Sequence, residues 1–136
     1  MGITDILNYL LVAIKVGYAG KKTYTYTKYN VFCLEVITIL YKEDFIEGYS
    51  IDILNKRVKI KLKYFRSRPI ISDLDLLTSP SFKNYLNCLN MTKIIKKYDY
   101  YFAFTPKGLI ASKYSNIISE MNTGGLLLFG IKMYVY

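Results

Sequence analysis

The chain has 136 residues and 52% of them are hydrophobic, so it can bury a core as one domain or as two small lobes. Lysine and arginine together number 19 against 10 acidic residues, and the net charge of +9 points to a polyanionic partner. Histidine is absent, which removes the usual general base near neutral pH and the usual imidazole ligand for metals. The composition therefore favours a non-enzymatic protein that binds a polyanion.

The cysteines and the paired aspartates give no sign of a metal site. Cys33 and Cys88 lie far apart and lack a Cys-x-x-Cys spacing, so neither a zinc site nor a disulfide framework is predicted. We interpret both as small core residues in a reducing compartment. Asp73 and Asp75 would share one side of a strand, but no third carboxylate is near them in the sequence. No cofactor and no metal are expected.

Features of the amino-terminal region bear on cellular location. The uncharged run 6–14 is about half as long as the roughly 20 residues that a membrane helix needs, so no membrane insertion is expected. Asp5 stands where a signal peptide would carry positive charge, and no arginine-rich presequence precedes it. A protein of this kind that works in an organelle is expected to be encoded there. The abundance of Lys, Tyr, Ile and Asn corresponds to AT-rich codons, which fits mitochondrial genomes, plastid genomes and AT-rich bacteria.

The first predicted element is an amphipathic core helix with Thr4 as its N-cap. Its apolar positions recur at the spacing of one helical face: Ile6, Leu7, Leu10, Leu11 and Ile14. Lys15 lies near the end of this helix, and Lys21 and Lys22 follow it. These lysines either favour the helix dipole and reach a phosphate, or form an ordinary solvated surface.

The next segment, 23–29, alternates threonine and tyrosine and predicts a strand with Tyr24 and Tyr26 on the same face. Packing of these two rings against a helix is the favoured interpretation, and a stacking platform for bases is the alternative. Asn30 is placed to cap a second helix. The apolar residues of that helix fall on one side: Cys33, Leu34, Ile37, Leu40 and Tyr41.

Glu47 and Gly48 predict a turn that leads into two strands, 49–53 and 57–65. In the second strand apolar residues alternate with lysines, so that one face is apolar and the other is a ladder of lysines. The ladder consists of Lys59, Lys61 and Lys63. The first half of the chain is therefore predicted to be α-β-α-β-β, with two helices laid on a three-stranded sheet.

The charged, proline-containing stretch 66–69 interrupts these patterns, and we place the boundary between two lobes there. An α/β lobe is predicted over 1–66 and a mainly β lobe over 67–136, which makes an α+β fold. In the second lobe strands are predicted at 70–71, 82–85, 98–104, 126–129 and 133–136, with short helices at 91–97 and 112–121.

The stretch 102–125 carries the candidate binding site. Thr-Pro-Lys-Gly at 105–108 predicts a turn that presents a cation, a hydroxyl and backbone N–H groups, and Gly124 with Gly125 forms a second turn near the same end of the lobe. Oriented amides at such turns bind anions. A hairpin and a helix stop without any ligand are the alternative interpretation.

Six short motifs occur in order along the chain: Asp-Phe-Ile-Glu-Gly at 44–48, Leu-Lys-Tyr-Phe at 62–65, Thr-Ser-Pro-Ser-Phe-Lys-Asn-Tyr at 78–85, Thr-Pro-Lys-Gly-Leu-Ile at 105–110, Gly-Gly at 124–125 and Tyr-Val-Tyr at 134–136. Together they resemble small-subunit ribosomal protein eight, collinearly over nearly the whole chain. The resemblance implies a two-lobed, non-enzymatic protein. It also implies binding to a hairpin in the central domain of small-subunit rRNA, a part in subunit assembly, and neighbouring ribosomal proteins as partners.

The resemblance also implies which residues contact RNA. The family's Ser-Thr-Ser-Lys-Gly is matched by Thr105, Lys107 and Gly108, while Phe104 and Pro106 replace its two serines. Lys15, Tyr85, Gly124 and Gly125 match other family positions. With the two lysines after the first helix added, the predicted RNA-binding set is Lys15, Lys21, Lys22, Tyr85, Thr105, Lys107, Gly108, Gly124 and Gly125. The departures from the family motif indicate a fast-evolving organellar copy.

This assignment agrees with the basic composition. A-form RNA offers a shallow minor groove with 2′-hydroxyls and phosphates, which suits contacts through lysines, threonines and exposed amides. We therefore predict a monomeric constituent of the small subunit of a mitochondrial ribosome in the matrix. A plastid and a bacterial cytoplasm are the alternative locations. The functional alternatives are a basic peripheral membrane protein, for which the first helix carries too few cations, and a small enzyme.

Overall fold

The structure, a computed structural model, describes residues 3–77, 85–86, 98–113 and 125–133 and divides the chain into two units, Met1–Ile70 and Ile71–Tyr136. The first unit contains, in order, α1 (Ile3–Ala19), β1 (Tyr24–Lys28), α2 (Val31–Lys42), β2 (Ile46–Asp52), β3 (Arg57–Leu62), β4 (Tyr64–Phe65) and β5 (Arg68–Pro69). The second contains β6 (Ile71–Leu76), β7 (Tyr85–Leu86), β8 (Tyr100–Thr105), β9 (Gly108–Lys113) and β10 (Gly125–Met133). This arrangement confirms the predicted α+β fold with a mainly β second part.

In the first unit an antiparallel sheet in the order β1-β3-β2 carries α1 and α2 on one face. The alternation of β3 places Val58, Ile60 and Leu62 in the core, where each is at most 3% exposed. Asn30 begins α2 as predicted, because its side chain accepts a hydrogen bond from the Phe32 N–H at 2.8 Å. The predicted layout of two helices on three strands is confirmed.

Helix α1 packs closely against the sheet at Gly17. A Cβ atom at that position would lie 2.8 Å from Leu62 Cδ1 and 3.1 Å from Thr25 Cβ, so only glycine fits without a shift of its neighbours. Beside it, Thr25 Oγ1 donates a hydrogen bond to the Ala13 carbonyl at 2.9 Å. Gly17 is therefore a packing position between helix and sheet.

Two predicted boundaries in the first unit differ from the structure. Strand β2 already includes Glu47 and Gly48, where a turn was predicted, and the pairing with β3 shifts register between Ile46 and Gly48. The pair forms a bulge that leaves the strand continuous. The predicted lobe boundary at 66/67 falls inside the β4–β5 hairpin, whose turn residues have φ of 52° and 65°. The units divide instead between Ile70 and Ile71.

The second unit is a sheet in the order β6-β10-β8-β9, with β7 also paired to β10. Its core contains Phe102 and Phe129, stacked with ring centroids 4.3 Å apart. Tyr98 lies against Gly130, where a Cβ would come within 2.6 Å of its ring, and donates its hydroxyl proton to Asp75 Oδ2 at 2.6 Å. Burial, followed by this hydrogen bond, raises the pKa of Tyr98. Asp75 therefore has a structural role as the hydrogen-bond acceptor for Tyr98.

Several predicted elements of the second part have partial counterparts. The predicted strand over 126–129 belongs to one longer strand, β10, which ends at Met133. The predicted helix over 112–121 does not begin at Ser112, since Ser112 and Lys113 complete β9. Its remaining residues, the helix at 91–97, most of the strand at 82–85 and residues 134–136 lie outside the described residues.

Candidate nucleic-acid interface

The tight turn between β8 and β9 is held by the side chain of Thr105. Thr105 Oγ1 accepts a hydrogen bond from the Lys107 N–H at 3.2 Å and donates one to the Gly108 carbonyl at 2.9 Å. The residue is only 6% exposed. The hydroxyl that the sequence placed outward is thus used inside the turn, and so is one of the backbone N–H groups. Thr105 acts as a brace that fixes the shape of the turn.

The outer part of the turn consists of Pro106 and Lys107, both exposed. Proline fixes its own φ near −65°, which stiffens the first corner of the turn. Gly108 has φ of 111°, a conformation that favours glycine, and a Cβ built there meets nothing within 4 Å. The turn therefore presents a lysine charge and an open stretch of backbone on a rigid support.

The structure places the start of β10 at the same end of the sheet as the 105–108 turn. Leu126 of β10 pairs with Phe104, so Gly125 lies level with Thr105 where β8 ends. Across β10, Gly125 pairs with Leu86 and Leu126 pairs with Tyr85. The backbones of Tyr85, Gly125 and the 105–108 turn therefore lie at the same end of the sheet. Gly124 and the side chain of Tyr85 lie outside the described residues.

The three predicted lysines of the first unit gather where α1 ends. Lys15 is exposed on the helix, and Lys21 and Lys22 are exposed directly after it. The chain leaves the helix through hydrogen bonds from the Lys21 N–H to the Tyr18 carbonyl and from the Lys22 N–H to the Gly17 carbonyl. Lys21 has φ of 53°. These lysines form a second basic group, and their role in RNA binding stays a prediction.

The interpretation of Tyr24 and Tyr26 as residues packed against a helix is wrong. Thr25 and Thr27 face the helices instead, since Thr25 bonds to α1 and Thr27 is 2% exposed. The tyrosine rings lie on the opposite face and are 40% and 42% exposed. The alternation in the sequence predicted that the two tyrosines share a face of the sheet. It did not predict whether that face is the one covered by the helices. Tyr24 and Tyr26 pair with Lys61 and Lys59, and this pairing with charged residues indicates that the tyrosines face solvent.

Cys33 and the acidic residues of the described part of the chain form no cluster of metal ligands. Cys33 is buried and free, and burial raises the pKa of its thiol to about 11, so it stays protonated and unreactive near neutral pH. Among residues 3–77, 85–86, 98–113 and 125–133, no three His, Cys, Asp or Glu residues are placed to hold a metal ion. Cys88 lies outside these ranges.

Comparison with known proteins identifies the family of this chain. The sequence profile described as Ribosomal protein S8 matches residues 5–134, which is nearly the whole chain. The chain belongs to the ribosomal protein S8 family. This confirms the resemblance found in the sequence motifs, and the family is one of structural ribosomal proteins, in agreement with the prediction of a non-enzymatic role.

The relatives of this chain include a uS8 protein of the mitochondrial type and bacterial uS8 proteins. The chain is 27% identical over 115 residues to the small ribosomal subunit protein uS8m of Acanthamoeba castellanii, which covers 83% of this chain and 90% of that protein. It is 27% identical over 133 residues to uS8 of Sphingopyxis alaskensis, covering 94% and 97%. It is 28% identical over 130 residues to uS8 of Erythrobacter litoralis, again covering 94% and 97%.

The remaining functional alternatives gain nothing from these matches, which point to neither a membrane-binding protein nor an enzyme. None of the helices in the described part of the chain has the length and apolar character needed to cross a bilayer.

Proposed function

We propose that this S8-family protein is a structural constituent of the small ribosomal subunit that binds small-subunit rRNA in the central domain and supports subunit assembly. The observation that carries the proposal is the family match over residues 5–134. The net charge of +9 supports it, because a basic protein releases counterions from the RNA backbone when it binds. Neighbouring ribosomal proteins are its other partners, and it acts there as a monomer.

The RNA contact is proposed at the end of the sheet where the 105–108 turn and the start of β10 lie. Lys107 supplies a charge for a phosphate, while Gly108 and Gly125 leave backbone that a ribose–phosphate strand can approach closely. Thr105 and Pro106 hold this surface in shape. Tyr85 pairs with Leu126, the residue after Gly125, and is proposed to complete the same site.

Lys15, Lys21 and Lys22 are proposed to contact phosphates from the first unit. Lysine is a flexible point charge, so such contacts strengthen binding without reading the RNA sequence. Because Lys21 and Lys22 follow the carboxyl end of α1, these two also complement the helix dipole. If these lysines contact phosphates, their replacement lowers the salt dependence of the affinity for RNA, which the structural role alone would not change.

The proposed location is the mitochondrial ribosome, in the matrix, with the protein encoded in the organelle. The relative of the mitochondrial type in Acanthamoeba castellanii and the abundance of amino acids that have AT-rich codons support this location. A plastid or bacterial ribosome is the competing location, because the bacterial relatives have the same degree of identity.

The decisive experiment compares Lys107→Glu with the matched variant Lys113→Glu. Both lysines are exposed and belong to the same hairpin, but Lys113 pairs with Tyr100 at the end of β9 far from the turn. Lys107→Glu is expected to weaken binding to a central-domain rRNA fragment by about 1–3 kcal/mol, the usual cost of a lost charge-assisted contact, while Lys113→Glu has a smaller effect. Filter binding gives the affinities and thermal melting checks the fold.

Equal losses in the two variants would contradict the placement of the site at the turn. The proposed function itself is tested by sedimentation of ribosomal subunits with the unmodified protein. Its absence from the small-subunit fraction would overturn the proposal.

A further inference from the structure

The face of the β1–β3–β2 sheet that points away from α1 and α2 is aromatic and basic. Cross-strand pairing sets Tyr24 opposite Lys61 and Tyr26 opposite Lys59. Because side chains alternate along a strand, these residues point away from the buried Val58 and Ile60. We call the surface formed by Tyr24, Tyr26, Arg57, Lys59 and Lys61 the outer face.

Each tyrosine ring on the outer face lies under a cation from the neighbouring strand. Lys59 Nζ is 3.9 Å from the centroid of the Tyr24 ring, and Arg57 Cζ is 4.1 Å from that of Tyr26. Such cation–π contacts hold the rings in place. The rings remain 40% and 42% exposed, so a large part of each is open to a ligand.

The third strand leaves space above these residues. Gly48 and Ser50 of β2 pair with Lys61 and Lys59, respectively, so small residues adjoin the basic ones. A Cβ added at Gly48 would meet nothing within 4 Å. The surface next to the two lysines is therefore low and accessible.

The charge of the outer face favours an anion. Asp52 of β2 lies on this face, and its carboxylate is occupied by Arg57 Nε at 3.2 Å. Lys59 and Lys61 remain as an excess of positive charge. A ligand that combines flat apolar groups with regularly spaced negative charges complements both the rings and the lysines, and single-stranded RNA has this chemistry.

The spacing of the rings selects a single strand over a duplex. Two residues on one strand that share a face are about 6.6–6.8 Å apart, since the rise is about 3.3–3.4 Å per residue. That is about twice the ~3.4 Å separation of stacked bases along one nucleic-acid strand. Bases that occupy both rings must therefore be unstacked from each other.

We propose that the outer face binds an unpaired segment of RNA, with bases stacked on Tyr24 and Tyr26 and phosphates against Lys59 and Lys61. The proposal rests on the proposed function, because ribosomal RNA is then the ligand at hand. It adds to it a second RNA surface, built on a different unit and with a different chemistry from the 105–108 turn.

The test measures binding of an oligouridylate of about 12 nucleotides and of an abasic ribose–phosphate strand of the same length, a size within the range covered by single-strand binding folds. The variant is Tyr24→Thr/Tyr26→Thr, which keeps residues that favour strands. The matched control is Tyr9→Ala, which removes an exposed tyrosine on α1 whose ring also lies near a cation, Lys28 Nζ, at 5.4 Å. Thermal melting checks that all variants fold.

The unmodified protein is expected to bind the oligouridylate more tightly than the abasic strand, by about 5- to 150-fold for each ring used. The double tyrosine variant should bind the two strands alike, whereas Tyr9→Ala should keep the preference. This readout isolates the bases, because the two probes carry the same phosphate charges.

A second pair of variants tests the charges. Lys61→Gln is expected to reduce the dependence of log K on log salt concentration by about 0.7, the value for one phosphate contact on a single strand. Lys42→Gln removes an exposed lysine from α2, on the other side of the sheet, and should leave the slope unchanged.

Three results would overturn the proposal: equal affinity of the unmodified protein for both strands, an unchanged base preference in the double tyrosine variant, or competition by an oligoglutamate as effective as that by the RNA. If the protein still binds the central-domain rRNA fragment in a Lys107-dependent way, only the outer-face proposal has failed. If it binds no RNA, the proposed function has failed as well.

Discussion

The two faces of the β1–β3–β2 sheet consist of alternate residues of the same strands. The helices cover one face and leave the other exposed. The inner face contains Thr25, Val58 and Ile60, which are covered by α1 and α2. The outer face contains tyrosines and cations that remain accessible. Substitutions one residue apart are therefore expected to affect different properties, with folding sensitive on one face and binding on the other. The following predictions test this separation.

The largest effect is expected from Ile60→Ala. Ile60 is fully buried, and removal of such a side chain from a core usually costs about 2–5 kcal/mol because a cavity remains. Its neighbour Lys61 is exposed on the outer face, so Lys61→Ala should change the free energy of unfolding by less than about 0.5 kcal/mol. Urea denaturation of both variants makes the comparison. Similar losses would mean that the two faces are not energetically distinct.

A smaller effect is expected from a single methyl group placed on either side of the sheet. Gly17→Ala should destabilise the fold by about 1–3 kcal/mol through overpacking against Leu62 and Thr25, although alanine favours a helix by about 1 kcal/mol over glycine. Gly48→Ala should be close to neutral, because its Cβ enters open space. Thermal melting ranks the variants. A stabilised Gly17→Ala protein would show that α1 can move away from the sheet at little cost.

A prediction with no effect near neutral pH concerns Cys33 in α2, which is buried on the side of the sheet that the helices cover. Burial raises the pKa of its thiol from 9.0 to about 11, so between these values the folded protein holds a proton that the unfolded chain has lost. The stability contributed by this group is complete below pH 9 and is lost as pH rises through about 11. Urea midpoints measured across that range should fall more steeply for the unmodified protein than for Cys33→Ala. Parallel pH profiles would refute the burial of this thiol.

The sequence predicted the first unit well because its helices and strands have clear and different periods. The one-sided apolar pattern identified most of the buried face of α1 and α2, and the cap at Asn30 is confirmed. In α2, however, Tyr41 is 48% exposed and Val36 is buried instead. Strand β1 was harder, since alternation shows that Tyr24 and Tyr26 share a face without showing which face meets the helices. The hydrogen bond from Thr25 to Ala13 decides that question, and it joins residues whose contact exists only in the folded unit.

At the candidate site the sequence identified the turn but not the use of its groups. Proline and glycine at 106 and 108 require a turn by their backbone preferences alone. The destination of the Thr105 hydroxyl depends on the distance between the two strands, which no local motif contains. The shared location of Gly125 and the 105–108 turn likewise depends on the pairing of β10 with β8. Local chemistry was therefore predictable, and the neighbours created by long-range pairing were not.

Under the proposed RNA contact at the 105–108 turn, the bracing by Thr105 has a consequence for the cost of binding. A loop that must first become ordered lowers affinity, since its conformational entropy is lost on binding. This turn is closed by two hydrogen bonds of its own and stiffened by Pro106, so it enters the encounter already in shape. Recognition then needs adjustment only from the RNA. Under this proposal the protein's side of the contact is formed before the RNA binds.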